Sequence, residues 1–289
     1  MKRGIDHVVL CVRDLEEARR AYGRLGFTTT PPAAHPFGTA NRLVQIGDSY
    51  LELLAIADPA AIPPPRPGYF SFGAFNRAFL ERRQGMSMLA LKSDDARADG
   101  ARFAAAGLHP YEPFEFSRSA PRPDGSEATV SFTIAFLAEP GTPEAAFFVC
   151  QHRSAEALWA PAYQRHANTA SAIAEVIMVA EAPMELAEFF GRLLGADAVT
   201  GAPEEVSAGG MVRVLSPAQF AERYPDAKAA KTPSPPYFAG FRVAVADIAA
   251  AGAALARRKL RFGVREGVLS VDPRETLGIS IELAAETAS

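Results

Sequence analysis

The chain has 289 residues, a length that predicts two domains, each large enough to bury its own core. Its net charge is −3, with lysines and arginines scattered among acids, so a nucleic-acid backbone is not an expected partner. No stretch approaches the ~20 apolar residues of a membrane span or the pattern of a signal peptide, which predicts a cytoplasmic protein without a membrane partner.

The cysteine content indicates a reducing compartment. Cys11 and Cys150 are the two cysteines of the chain, and each lies inside an apolar run. We therefore expect buried, reduced thiols rather than a disulfide framework.

The first segment of the chain predicts a strand that leads into a helix. Residues 5–12 form a β-branched and leucine-rich run, and Asp14 with Glu17 three residues later is typical of a helix N-terminus. Apolar residues keep helical spacing up to Leu25, and Gly26 is placed to end the helix. Three short strands are predicted next, over residues 27–31, 41–46 and 50–56.

The same unit of strand, helix and further strands recurs three more times. The second copy opens with a strand at 86–93, the third at 173–179 and the fourth at 238–245. The last strand of the fourth copy is predicted at 278–283. Helices are expected to begin close to Asp14, Asp94, Pro183 and Asp247.

Two stretches fall outside this repeat. The proline-rich residues 63–67 predict a stiff linker, followed over 69–83 by a short helix or lid. The segment 152–169 contains the single tryptophan, Trp159, so it is expected to pack between the two halves of the chain.

The repeated unit resembles the βαβββ module of the vicinal-oxygen-chelate superfamily, whose paired modules form a U-shaped sheet around a metal or ligand site. The segments that carry the likeness are Ile5 to Val9, Asp14 to Glu17, Gly38 to Asn41, Tyr50 to Leu54 and Asp272 to Leu283. The segment from His35 to Asn41 is similar to one in glyoxalase-like proteins. The resemblance implies an α+β fold of four modules in two glyoxalase-like domains, 1–155 and 170–289, joined by a crossing at 156–169.

The resemblance also implies that metal ligands come from the first and last strand of each module. In the first module these positions hold His7 and Glu52, which are ordinary ligands for zinc, manganese, nickel or iron and are also our candidate catalytic residues. In the second module they hold Met88 and Cys150 or a neighbour of Cys150. The usual four-ligand pattern is therefore incomplete.

His152 offers a third ligand, because residues 150 and 152 of one strand point to the same face. Together with His7 and Glu52 it would make the two-histidine, one-carboxylate set of non-haem iron oxygenases. In the alternative, His152 bonds to the backbone, while His7 and Glu52 hydrogen-bond each other or an organic ligand without a metal.

The inside of the U-shaped sheet forms a trough around the metal or ligand site. Further residues are predicted to bind substrate in this trough, namely His35, Asn41, Cys150 and Met88. His35 and Asn41 frame a Gly-Thr turn, which turn chemistry alone also explains. Glu52 is flanked by leucines, and because an unpaired buried acid is costly, we expect it to have a partner.

The second half of the chain lacks the ligands of the first. No histidine follows His166, which excludes a histidine-containing metal site there, and only Glu175 and Glu282 remain as ligands. We expect this half to be structural, or to form a wall of the first domain's pocket.

These residues suggest functions of different classes. The leading expectation is an enzyme, a metal-dependent lyase, isomerase or dioxygenase in which a divalent cation chelates a small oxygen-bearing substrate. The second is a metal-free protein of the same fold that binds or sequesters a small molecule. The third is a scaffold whose trough is filled by Phe147, Phe148 and Met88. The expected partner is a small molecule, and a homodimer is left open.

Overall fold

Four units of strand, helix and further strands follow one another along the chain. The computed structural model describes residues 3–139, 141–225 and 233–286. The first unit comprises β1 (Ile5–Cys11), α1 (Leu15–Arg24), β2 (Ala33–Ala34), β3 (Thr39–Ile46) and β4 (Ser49–Ile56). After it comes α2 (Phe72–Arg82), the short helix predicted over 69–83.

The second unit is longer than the first by one strand. It comprises β5 (Gly85–Lys92), α3 (Ala96–Ala105), β6 (His109–Pro110), β7 (Phe114–Pro121), β8 (Glu127–Ala138) and β9 (Ala146–His152). The short helix α4 (Ala155–Leu158) opens the crossing to the second half. The extra strand β7 pairs only with β8 among the described strands, and it forms a long hairpin with that strand.

The second half repeats the arrangement. The third unit comprises β10 (Ala170–Val179), α5 (Pro183–Leu194), β11 (Val199–Ala202), β12 (Glu205–Ala208), β13 (Val212–Leu215) and α6 (Pro217–Arg223). The fourth comprises β14 (Tyr237–Val245), α7 (Ile248–Arg257), β15 (Phe262–Arg265), β16 (Val268–Val271) and β17 (Ser280–Ala285). No helix in the described ranges is long and apolar enough to cross a membrane.

The capping signals place the helices where the sequence predicts them. The Asp14 carboxylate accepts the backbone N–H groups of Glu16 and Glu17 and so caps α1. Asp95 caps α3 and Asp247 caps α7 in the same way. The predicted helix starts are confirmed, with a shift from Asp94 to Asp95 in the second unit.

The predicted strand at residues 27–31 is wrong. The backbone N–H and hydroxyl of Thr28 bond to the ring of His166 and the carbonyl of Arg165 rather than to a neighbouring strand. Pro31 and the proline after it carry no N–H to donate to a ladder. The edge strand forms later, as β2, whose Ala33 pairs with Asn41 of β3.

Each half of the chain forms one mixed sheet with the same internal order. The first sheet runs β2-β3-β4-β1-β5-β9-β8-β6, and the second runs β11-β12-β13-β10-β14-β17-β16-β15. In each, the opening strands of the two units lie antiparallel at the centre, and each is flanked by a parallel strand that ends a unit or, for β13, precedes α6. The α+β fold of paired βαβββ units is therefore confirmed.

The two sheets share one core on their helix-bearing sides. Phe147 of β9 lies in this core against Phe189, Phe190 and Phe238 of the second half. A separate cluster, formed within residues 9–159, fills the concave face of the first sheet. Hence Phe147 does not fill the trough. The cavities of that face are lined by residues of the first half and the crossing, so the second half does not form their wall.

Replacing Phe147 with alanine should destabilise the protein without changing the concave face of the first sheet. We expect a loss of about 3–5 kcal/mol in the free energy of unfolding, because the side chain is fully buried between the halves. Urea denaturation measures this loss. Met184→Ala, at a site 49% exposed, is the control and should change stability by less than about 0.5 kcal/mol. An equal effect of both substitutions would contradict the shared core.

Candidate functional site

A β-bulge in β1 turns two consecutive side chains, Asp6 and His7, into one trough. The pairing of β1 with β5 shifts between Ile5 and His7, so Asp6 is the extra residue. Ile5 and Val8 pack in the shared core, while both Asp6 and His7 are buried on the concave side. In a regular strand, the two side chains would point to opposite faces.

The carboxylate of Asp6 bonds to two histidine side chains. Its Oδ1 lies 2.5 Å from Nδ1 of His7, and its Oδ2 lies 2.9 Å from Nε2 of His152. Burial raises the pKa of Asp6, but the hydrogen bonds from His152 and His7 outweigh it and hold the pKa well below its ordinary value. Asp6 is thus a buried carboxylate that fixes two imidazole rings.

Glu52 faces the other side of the His7 ring. The distance from Nε2 of His7 to Oε2 of Glu52 is 3.7 Å, which is too long for a hydrogen bond. The His7 ring stacks on Tyr50 with centroids 4.3 Å apart, and its Nδ1 is held by Asp6. The two atoms therefore face each other across a gap, and His7 is fixed in place.

A chain of hydrogen bonds holds Glu52 through its Oε1 atom. Nδ2 of Asn41 donates to Oε1 of Glu52 at 2.6 Å and lies 3.2 Å from Nε2 of His35. Nδ1 of His35 bonds to the hydroxyl of Thr39 at 2.8 Å. Burial, followed by the charges of Arg118 and His7, lowers the pKa of His35 well below 6.5, so this ring is neutral. The predicted residues His35 and Asn41 thus lie beside Glu52.

Strand register identifies the four positions where the superfamily places its ligands. His7 pairs with Tyr50, and Glu52 lies two residues further along β4. Met88 pairs with Ala146 in the same way, so Phe148, rather than Cys150, matches Glu52. Both matched residues of the second unit are apolar and fully or almost fully buried. Half of the four positions therefore carry no metal-binding atom of the usual kind.

Cys150 and His152 lie on the trough side of β9, as the alternation predicts. Cys150 lines the cavity next to His7, and burial, then the charges of Asp6 and Glu52, raises the pKa of its thiol well above the ordinary value. His152 reaches the site through Asp6 rather than through Glu52. Met88 lies in the apolar floor, where Asn76 contacts its sulfur at 3.9 Å.

One group of side chains in the described ranges brings three metal-binding atoms within 4.8 Å of one another, namely Asp6, His7 and Cys150. The predicted set of His7, Glu52 and His152 is not such a group. The carboxylate of Asp6 already accepts hydrogen bonds from both histidines. Nε2 of His7 and Oε2 of Glu52 face each other across the gap in this cavity, which the thiol of Cys150 also lines.

Two cavities adjoin at this site. The inner one measures about 30 Å³, room for one or two water molecules, and is lined by His7, Glu52, Tyr50 and several phenylalanines. The outer one measures about 380 Å³, the size of a small-molecule pocket, and is lined by β3, the β7–β8 hairpin and the crossing with Trp159.

The second sheet carries the same bulge but a different set of residues. Its pairing shifts between Ile173 and Glu175, so Ala174 matches Asp6 and Glu175 matches His7, both 168 residues later. Arg213 matches Glu52, since Ile177 pairs with Arg213 as Val9 pairs with Glu52. Arg213 bonds to Glu175 at 2.9 Å, and Glu282 is paired with Arg242 at 2.7 Å. Internal ion pairs thus occupy the positions that match His7 and Glu52 of the first trough and bind Glu282 of the last strand.

Two residues of the site escaped the sequence prediction. Asp6 is not among the predicted site residues, because alternation along a regular strand would turn it away from His7 and no residue pattern signals the bulge that brings them together. Arg118 did leave a signal, because Phe114, Phe116, Arg118 and Ala120 alternate with polar residues along β7. In that alternation, an arginine occupies an inward position where an apolar residue is expected.

The remaining histidines lie outside the site. His166 accepts the backbone N–H of Thr28 and bonds to the carbonyl of Gln45 at 2.7 Å, so it joins the crossing to the first sheet. His109 is exposed on the short edge strand β6. Neither contacts the trough residues described above.

Comparison with known proteins identifies the family. The sequence profile of the glyoxalase-like domain matches residues 5–194, about two thirds of the chain. The chain belongs to the glyoxalase-like domain family. This confirms the resemblance to the vicinal-oxygen-chelate superfamily. No curated protein matches the sequence of this glyoxalase-like protein.

Solved structures share the fold of this glyoxalase-like protein at low sequence identity. A hypothetical protein from Staphylococcus aureus is 12% identical, with a TM-score of 0.67 over 98% of this chain and 100% of the other. A variant of 4-hydroxymandelate synthase from Streptomyces coelicolor is 16% identical, with a TM-score of 0.57 over 100% and 95%. A fusion of a xylose isomerase-like barrel with a 4-hydroxyphenylpyruvate dioxygenase is 14% identical, with a TM-score of 0.52 over 99% and 49%. At these sequence identities, the likeness shows a shared fold alone.

The neutral His35 makes the stability of this glyoxalase-like protein depend on pH. Because the pKa of His35 is lowered in the fold, the unfolded chain takes up a proton near pH 6.5 that the folded chain does not. This contribution to stability is therefore complete above pH 6.5 and declines as the pH falls below it. His35→Gln should flatten the dependence between about pH 6.5 and pH 5 in urea denaturation. The exposed His109→Gln is the control, and identical profiles for both variants would contradict the prediction.

Proposed function

We propose that the first domain is the catalytic part of an enzyme, which binds a small oxygen-bearing molecule against His7 and Glu52 and moves a proton on it. The observation that supports this proposal is the 3.7 Å gap between Nε2 of His7 and Oε2 of Glu52. Two basic atoms that face each other without bonding are available to a third group. A lyase or isomerase uses such a pair to take a proton from one atom of a substrate and return it to another.

The surrounding residues determine which atoms of His7 and Glu52 carry protons and which are free to react. The Asp6 carboxylate accepts the proton on Nδ1 of His7, and in the neutral form of the ring the lone pair on Nε2 then points toward Glu52. Asn41 donates to Oε1 of Glu52 and leaves Oε2 for the ligand. Each reacting group is thus oriented by a buried neighbour, which is the preorganisation that general acid–base catalysis requires.

A divalent zinc, manganese, nickel or iron ion is the cofactor implied by the superfamily, and the donor set supports it only in part. Nε2 of His7 and Oε2 of Glu52 would be its ligands, whereas His152 is bonded to Asp6 and the two matched positions hold Met88 and Phe148. An iron dioxygenase holds its metal with two histidines and one carboxylate. The described residues do not complete that set, so proton transfer is favoured over oxygenation.

A metal-free binding protein is the second candidate, and the aromatic walls of the trough favour it. The inner cavity is small, and Phe116, Phe132 and Phe148 line it. Such walls suit a ligand that is held and not changed. The two candidates differ in one observable, which is whether a bound molecule exchanges a proton with water.

Hydrogen exchange followed by NMR in D₂O distinguishes them. The protein is incubated with a panel of small 2-hydroxy and 2-oxo carbonyl compounds, with and without added Zn, Mn, Ni or Fe(II). We expect deuterium to enter at least one compound at the carbon beside the carbonyl. Glu52→Gln should slow this exchange by at least about 100-fold, because it removes a general base.

The matched control is Glu282→Gln, the same change at a buried glutamate in the second trough. It should lower the melting temperature, since Arg242 and Arg223 lose a charged partner, but should leave exchange unchanged. A compound that binds to the wild-type protein but exchanges no proton under any condition would favour the binding protein. Exchange that survives Glu52→Gln would exclude the proposed base.

A further inference from the structure

The outer and inner cavities of the first domain share two lining residues, Asn41 and Arg118. These two side chains therefore stand where a molecule in the larger cavity meets the His7 and Glu52 pair. Asn41 comes from β3 in the sheet, and Arg118 from the β7–β8 hairpin. Any ligand that reaches the inner cavity from the outer one passes between them.

Arg118 is a buried cation without a salt bridge. The residue is only 8% exposed, and no carboxylate in the described ranges lies within ion-pair distance of it, although the charge of Glu52 acts on it from further away. One nitrogen donates to the carbonyl of Ser119 at 3.0 Å, and Nε has no hydrogen-bond partner. Burial is also the main cause that lowers the pKa of this guanidinium. An unpaired buried charge is costly, so its retention points to a partner that is not part of the chain.

Asn41 offers a hydrogen-bond acceptor that has no donor. Its Nδ2 is occupied by Glu52 and His35, whereas its Oδ1 is buried with no partner. A side-chain amide oxygen accepts hydrogen bonds and donates none. The junction therefore offers an unpaired donor on Arg118 and an unpaired acceptor on Asn41.

We infer that the ligand is a small carboxylate that also bears a hydroxyl group, its carboxylate held by Arg118 and its hydroxyl donated to Oδ1 of Asn41. The fork of a guanidinium matches the two oxygens of a carboxylate. The acids Asp6 and Glu52 lie close by and oppose a second negative charge, so a monocarboxylate is favoured over a phosphate dianion. This inference rests on the proposed function, since it places the ligand at the His7 and Glu52 pair.

Matched pairs of small probes test each half of the inference by calorimetry and thermal shift. Lactate and lactamide differ in charge, and lactate and propionate differ in the hydroxyl. We expect lactate to bind at least about tenfold more tightly than either analogue, because each analogue leaves one buried group unpaired. Inorganic phosphate is expected to bind more weakly than lactate. Equal binding of lactate and lactamide, or no binding of lactate, would overturn the inference.

Replacing Arg118 with methionine separates ligand binding from structure. Removing an unpaired buried charge should raise the melting temperature of the unliganded protein, by about 2 °C or more, while binding of lactate is lost. Arg97→Gln is the control, since Arg97 pairs with Glu115 on the outward face of the same hairpin and is 58% exposed. Arg97→Gln should leave the melting temperature and the binding of lactate near the wild-type values.

The outcomes distinguish this inference from the proposed function. Lactate that stabilises Arg118→Met as much as the wild type, or a lower melting temperature for that variant, would assign Arg118 a structural role and overturn the inference. Lactate binding that depends on Arg118, without proton exchange on any compound of the panel, would instead leave the inference standing and refute the proposed enzyme.

Discussion

The bulge at Asp6 is the constraint on which the rest of the site depends. It places an acid and an imidazole that are adjacent in sequence on the same face of the strand. Because Asp6 then holds Nδ1 of His7, the other ring nitrogen is directed toward Glu52, and the gap between them is where we propose that the ligand binds. Without the bulge, Asp6 would lie in the apolar core between the sheets, where an unpaired carboxylate is costly.

The two halves of the chain show what the same backbone does with different residues. The second sheet has an equivalent bulge, but an exposed alanine, Ala174, replaces Asp6. Glu175 and Arg213 form an ion pair at 2.9 Å at the two positions where His7 and Glu52 of the first sheet remain apart. The first trough keeps two buried polar atoms without a partner where its two cavities meet, Oδ1 of Asn41 and Nε of Arg118, a pattern that functional sites commonly show. The second half contributes the shared core.

Sequence reasoning predicted the repeated units, the helix starts and the trough-facing side chains of His7, Glu52, Asn41 and His35, because caps and alternation are local signals. It misplaced the strand at 27–31, where bonds to the crossing replace a ladder, and its alternative of a filled trough included Phe147, which lies in the shared core. It could not place Asp6, since a one-residue bulge leaves no mark in the pattern of apolar residues. The unpaired state of Arg118 likewise depends on which acids the fold brings near it.

We infer that Asp6 fixes the tautomer of His7, and nitrogen NMR of the histidine side chains reports the protonation of each ring nitrogen. The chain has five histidines, so the His7 signals can be assigned with a single His7→Gln variant. At neutral pH in the ligand-free protein, we predict that Nδ1 of His7 carries a proton in a strong hydrogen bond, with that proton resonating at low field. A His7 ring protonated only on Nε2, with an ordinary Nδ1, would show that Asp6 does not fix the tautomer.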